Sequence, residues 1–155
     1  MTLGDILTPD SIVSDLKARD RWEAIEELID CLVAAGRIAP QHRDAVTTVI
    51  RRRETSMSTG IGYGIGIPHA STNLIQSVVG AFGRSRGGIA FEALDGQPVK
   101  LVVLFLVPQG EFQKHLHTLA DIAKLLHRPE FRQALEEAPD AEGMFRVIQA
   151  NAGSR

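Results

Sequence analysis

Apolar and polar positions alternate with three different rhythms along the chain. Between Asp20 and Gly36, residues Ile25, Leu28, Ile29, Leu32 and Val33 recur at offsets of 3, 4, 7 and 8. That is one face of a 3.6-residue period and predicts a helix. Asp20 followed by Glu23 resembles a capping box, and Gly36 suits the stop. A second helix is expected to begin near Pro40, with Val46, Val49 and Ile50 as its buried stripe. It is read as ending at Arg51-Arg52-Arg53-Glu54, where cations suit a helix C-terminus.

The middle changes character. Ser58–Ala70 is rich in glycine and isoleucine, and Ser77–Arg84 and Gly88–Phe91 read as two short strands. Val99–Val107 is an almost unbroken apolar run, closed by Pro108 and preceded by the turn signal Asp95-Gly96-Gln97-Pro98. Such a run predicts a strand covered on both faces. Helical pattern returns over Gly110–Arg128, with Leu116, Leu119, Ile122, Ala123 and Leu126 on one side. Short helices over Glu130–Glu137 and Ala141–Ala150 follow. Helices flanking a central group of strands predict one α/β domain, a sheet covered by helices.

Composition narrows the function. The chain has 155 residues, 17 Lys plus Arg against 19 Asp plus Glu, and a net charge of −2. This argues against an electrostatically driven nucleic-acid binder. The lone Cys31 forms no internal disulfide, which points to a reducing compartment. No apolar run is long enough to span a membrane, and the N-terminal segment carries no basic leader pattern, so a cytoplasmic protein without membrane insertion is expected.

The densest chemical signal is Gly60–His69. Gly60, Gly62, Gly64 and Gly66 alternate with Ile61, Tyr63, Ile65 and Ile67. In an extended chain the glycines share one bare face, open to close approach by a backbone or ligand. Taken alone, the run reads as a bulged or curved strand. The spacing fits neither the dinucleotide fingerprint nor the P-loop. Pro68 fixes its own φ and biases Ile67 toward extended geometry, so His69 stands at a defined point as the chain leaves the sheet. From position alone, His69 is equally a functional or a plain surface histidine. On the helix expected over Gly110–Arg128, His115 lies toward the apolar face and His117 on the solvent side. His115 is then either satisfied by a backbone carbonyl or brought against His69. Arg53 is either part of a solvated helix end or a donor fork for phosphate oxygens. Histidines are available for a metal, but neither H-E-x-x-H nor C-x-x-C spacing occurs, and G-x-S-x-G is missing as well.

These motifs together resemble a known family. Arg53-Glu54, Ser58-Thr59-Gly60-Ile61-Gly62 and Gly64-Ile65-Gly66-Ile67-Pro68-His69 are similar to the phosphorylation-site signature of the IIA component of the bacterial phosphoenolpyruvate-dependent sugar phosphotransferase system, fructose/mannitol class (EIIA type 2). Ile89-Ala90-Phe91, Asp95-Gly96-Gln97-Pro98-Val99, Leu106-Val107-Pro108 and His115-Leu116-His117-Thr118-Leu119 continue the match in order. It covers residues 3–150 as one domain, leaving no room for an attached IIB or IIC partner, and it resembles the stand-alone nitrogen-regulatory branch most.

The resemblance implies an α/β sandwich with a mixed central sheet covered by helices on both faces. It implies that His69 is phosphorylated on Nε2 by a phosphohistidine carrier protein of the HPr type. It further implies that His115 orients or stabilises the phosphoryl group, that Arg53 stabilises its charge, and that the glycine face admits the carrier. No cofactor or metal is implied. The recipient is either a regulated target protein or a IIB component; the remaining reading is a binding module that keeps the fold without phosphorylation. Tyr63 stands where the family often has Asn, and Gly66 where Ala is usual.

Overall fold

A computed structural model describes residues 2–56 and 58–152. Helix α1 (Leu3–Ile6) and a two-residue strand β1 (Ile12–Val13) precede α2 (Arg21–Ala34) and α3 (Arg43–Ser56). The strands β2 (Gly60–Gly62), β3 (Ile65–Gly66), β4 (His69–Thr72), β5 (Val79–Ile89) and β6 (Val99–Pro108) follow. Helices α4 (Leu116–Leu126), α5 (Pro129–Glu137) and α6 (Ala141–Ala152) complete the chain.

The caps of α2 follow from its sequence. Asp20 accepts the Glu23 backbone N–H at 2.9 Å. The Glu23 carboxylate turns back to the Arg19 backbone N–H at 2.8 Å, one residue short of a reciprocal capping box. At the other end Gly36 adopts φ +77. Its N–H reaches Val33 O while that of Arg37 reaches Leu32 O, the double bond of a Schellman stop.

The six strands form one mixed sheet. β5 runs antiparallel to β6, β1 parallel to β5, and β3 and β4 both run parallel to β6. β3 and β4 occupy one lane end to end, meeting β6 at Leu101–Val102 and Phe105–Pro108. Pro68, which has no N–H to donate, marks the break between them. β6 is buried on both faces, as its apolar run predicts. Ile25, Leu28, Ile29 and Leu32 of α2, with Val46 and Ile50 of α3, pack against Val102, Leu104 and Leu106. On the other face α1, α4, α5 and α6 cover Leu101, Val103, Phe105 and Val107. The α/β sandwich with helices on both faces is therefore the architecture. Among the described residues no helix is long and apolar enough to cross a membrane.

Several local expectations are corrected. The two strands expected at Ser77–Arg84 and Gly88–Phe91 are one strand, β5, with a register shift between Arg84 and Ile89. Gly88 takes φ +88 there, so the break in pattern is a bulge rather than a loop. The glycine run is a hairpin: β2 and β3 are joined by Tyr63 at φ 58 and Gly64 at φ 76, both central residues of a primed turn. The helix expected over Gly110–Arg128 begins as a 3-10 turn, Gln113–His115, and becomes α-helical only from Leu116, which is 42% exposed rather than buried.

Candidate functional site

His69 opens β4, inside the sheet rather than in a loop beyond it. Its register partner Phe105 belongs to the layer under α4–α6, while the next residue, Ala70, packs under α2 and α3. The imidazole is fixed on three sides. Its Nδ1 lies 2.7 Å from Ile67 O. A carbonyl only accepts, so Nδ1 carries the proton and the neutral ring presents the Nε2 lone pair. Arg53 at the end of α3 places Nη2 3.4 Å from Nε2. Phe112 stacks beside the ring, centroids 5.9 Å apart and planes 10° from parallel.

The surroundings favour the neutral form of this ring. Burial lowers the His69 pKa, and the Arg53 charge adds to the effect. The Ile67 carbonyl and the Glu54 carboxylate oppose it in part. An open cavity of about 350 Å³ adjoins the ring, lined by Val49, Arg52, Arg53, Ser56, Ala70, Ser71 and Phe112. Two guanidinium groups and two hydroxyls thus line a cavity beside a nucleophilic nitrogen, an arrangement suited to an oxyanion.

His115 is 9% exposed, on the inward side as its position predicts, and His117 is exposed. The His115 Nε2 faces the Glu111 carboxylate at 3.5 Å. Among the described residues no hydrogen bond links it to His69, and it does not line the cavity. Phe112, one turn earlier, makes the ring contact instead. Gly60 and Gly66 are covered by the protein itself rather than open to approach. A Cβ on Gly60 would stand 2.7 Å from the Ala93 Cβ, and one on Gly66 2.8 Å from the Phe91 ring. The glycines let the hairpin lie on its own neighbours.

Tyr63 makes its contacts away from His69. Its exposed ring meets His127 edge-on at 5.1 Å and the Arg132 guanidinium at 5.3 Å. His127, at the end of α4, also directs Nδ1 to Ala123 O at 2.7 Å.

The sequence reading missed Phe112, and it quoted Glu54 in the signature without a role. Glu54 is 1% exposed. It accepts the Thr59 N–H at 2.8 Å and the Thr59 hydroxyl at 2.7 Å. Arg21 Nη1 lies 3.4 Å away. Thr59 O in turn takes the Ile67 N–H at 3.1 Å, so a chain of bonds runs from Glu54 to the carbonyl that holds His69. A signal existed, because Val46, Ile50 and Glu54 stand four apart on one helix stripe. For Phe112 the only signal is its place one helical turn before His115.

Comparison with known proteins shows the family of the chain. The sequence model of the family described as "Phosphoenolpyruvate-dependent sugar phosphotransferase system, EIIA 2" matches residues 5–151. A nitrogen regulatory protein of Bradyrhizobium diazoefficiens is 35% identical over 148 residues, covering 96% of this chain and 95% of that protein. A fructose-specific EIIABC component of Bacillus subtilis is 36% identical over 148 residues, 96% of this chain but 23% of that protein. Nitrogen regulatory protein IIA-Ntr of Neisseria meningitidis superposes with a TM-score of 0.84 at 29% identity, covering 94% of this chain and 98% of that one.

Proposed function

Since the chain belongs to the phosphotransferase-system EIIA 2 family, we propose that it accepts a phosphoryl group on His69 Nε2 from an HPr-type phosphocarrier. The carrier's N–P bond breaks as the Nε2–P bond forms. The observation that carries this reading is the Nδ1–Ile67 O bond of 2.7 Å, which leaves Nε2 unprotonated and aimed at Arg53. Positive charge developing on the ring is met by the Ile67 carbonyl. Arg53, joined by Arg52 across the cavity, supplies donors for the equatorial oxygens, where such transfers need stabilisation most. His115 serves as an orienting donor once a phosphoryl group is in place, which requires its ring to turn from Glu111.

The role is regulatory, in the manner the nitrogen regulatory relatives are named, and the protein acts in the cytoplasm on target proteins. The second reading, delivery to a separate IIB component, is favoured by the fructose-specific relatives. The residues 3–150 form the phosphoryl-carrying domain.

Phosphoenolpyruvate, enzyme I and an HPr-type carrier, followed by mass spectrometry at neutral-to-basic pH, test the acceptor. Label is expected on His69 and absent from His69→Ala; a His69→Ala chain that labels normally overturns the reading. His115→Ala is expected to slow onward transfer more than labelling, and equal loss of both removes its separate role. Affinity capture with His69→Ala and His69→Asp forms tests regulation, and identical partner sets contradict it.

A further inference from the structure

We propose that the pocket beside Arg84 is a second oxyanion site, shaped for one phosphate-sized group and separate from His69. Arg84 is 1% exposed and sits in β5 against the layer of α5 and α6. A guanidinium has five N–H donors. Nε donates to Ser14 O at 2.9 Å, and Nη1 to Leu135 O at 2.8 Å and to Ala138 O at 2.6 Å. The two N–H groups of Nη2 meet no acceptor, although the atom is buried. Buried donors of this kind are rare, and a charged one is the costliest to leave unmet.

Nor does a carboxylate reach it. Among the described residues Arg84 forms no ion pair; Asp15, Asp140 and Glu136 act on it only through space. Burial and the neighbouring Arg86 charge lower its pKa, the mark of a cation short of counter-charge.

A cavity of about 100 Å³ lies here, lined by Arg84, Ser85, Arg86, Lys100 and Glu136. Arg86 and Lys100 are exposed, and among the described residues neither forms an ion pair. The Ser85 hydroxyl accepts the Gly88 N–H at 3.1 Å and keeps its own proton to donate. Three cations and one carboxylate thus line the cavity, an excess of positive charge. The room fits a single oxyanion, either free phosphate or the terminal group of a small phosphomonoester, and not a nucleotide. Arg84 pairs with Leu101 on β6 and His69 with Phe105, so the two sites stand about 13 Å apart along the strand and share no lining residue. Because Arg84 ties the end of α5 to β5, an occupant here stabilises the fold by mass action.

The test is a ¹H–¹⁵N NMR titration of the full unphosphorylated chain with phosphate, against chloride at matched ionic strength. The Arg84 Nε–H and the amides of Ser85–Gly88 report this pocket, while Ser71 and Phe112 report the His69 cavity. Saturable shifts at the first set are expected, weakened roughly tenfold in an Arg86→Ala/Lys100→Ala double variant by loss of charged donors. Glu136→Gln is expected to tighten binding. Glycerol phosphate binding as well as phosphate identifies a phosphomonoester terminus; phosphate binding alone identifies the free ion. Shifts that chloride reproduces, or shifts confined to Ser71 and Phe112, overturn the proposal. So does a Glu136→Gln chain that loses stability with unchanged phosphate response, since Glu136 is then the counter-ion.

Discussion

Replacing Glu54 by alanine probes the bond chain behind His69. The carboxylate takes the Thr59 N–H at 2.8 Å and the Thr59 hydroxyl at 2.7 Å, and both residues are buried. Alanine leaves the Thr59 N–H without a partner inside the protein. It also removes one of the two carboxylates on Arg21, the other being Glu92 at 3.2 Å. Losing a buried charge-assisted arrangement costs about 3 kcal/mol, at the low end for breaking a buried pair because Glu92 remains. An unfolding entropy near 2.1 cal/mol/K per residue gives about 0.33 kcal/mol/K for 155 residues, so Tm falls by about 9 °C.

Glu54→Gln is the informative companion. Its amide oxygen still accepts from Thr59 N–H and its NH₂ still donates to the Thr59 hydroxyl, so only the charge is lost, at about 1 kcal/mol. Urea denaturation with unchanged m-value measures both. An alanine variant losing less than about 1 kcal/mol, or a glutamine variant losing as much as alanine, refutes the account of Glu54 as a hydrogen-bond anchor.

Gly60→Ala places a Cβ 2.8 Å from the Ala93 backbone, which has no flexible end to yield, and is expected to cost about 2 kcal/mol by thermal unfolding. Gly66→Ala meets the Phe91 ring, a side chain able to shift, and is expected to cost less in the same assay. Burial and Arg53 hold the His69 pKa below its ordinary value of about 6.5, so the unfolded chain binds this proton more readily. Stability from this group is therefore complete above about pH 6.5 and declines as pH falls toward the folded-state pKa, a loss expected to be absent from the pH curve of the His69→Gln variant. Phe112→Ala opens one face of the imidazole to water and is expected to raise the His69 pKa in an NMR titration; an unchanged pKa excludes Phe112 from the drying of the ring.

The layers of the fold were legible because period alone reports which side is buried. Asp20–Gly36 read as a helix with both stops correct, and Val99–Val107 read as a strand covered on both faces because only Lys100 interrupts its apolar run. What failed was non-local. Arg84 read as the end of a strand because its acceptors, Ser14, Leu135 and Ala138, lie 51 to 70 residues away. Gly60–Gly66 read as one strand since alternation looks alike in a strand and in a hairpin with a two-residue turn. Tyr63 in the left-handed region is an unfavourable choice that no propensity predicts. The first nineteen residues gave no periodic signal, because α1 and β1 are too short to show one.

At the site, His69 and Arg53 were singled out by the family resemblance, their positions alone leaving both open, and they come together at 3.4 Å. The inward face of His115 was legible from helical phase, although its partner is Glu111 rather than His69. Phe112 escaped because a single aromatic near a histidine is indistinguishable, in sequence, from ordinary core.

The central claim is that Nε2 of His69 is the phosphoryl acceptor, made so by the Nδ1–H bond to Ile67. A ¹H–¹⁵N correlation spectrum of the imidazole rings before and after incubation with the phosphorylated HPr-type carrier tests it directly. The account predicts a neutral His69 ring with its proton on Nδ1 beforehand, and a phosphorus coupling at Nε2 afterwards. A coupling at Nδ1, or a His69 ring unchanged while phosphate appears on another residue, contradicts it.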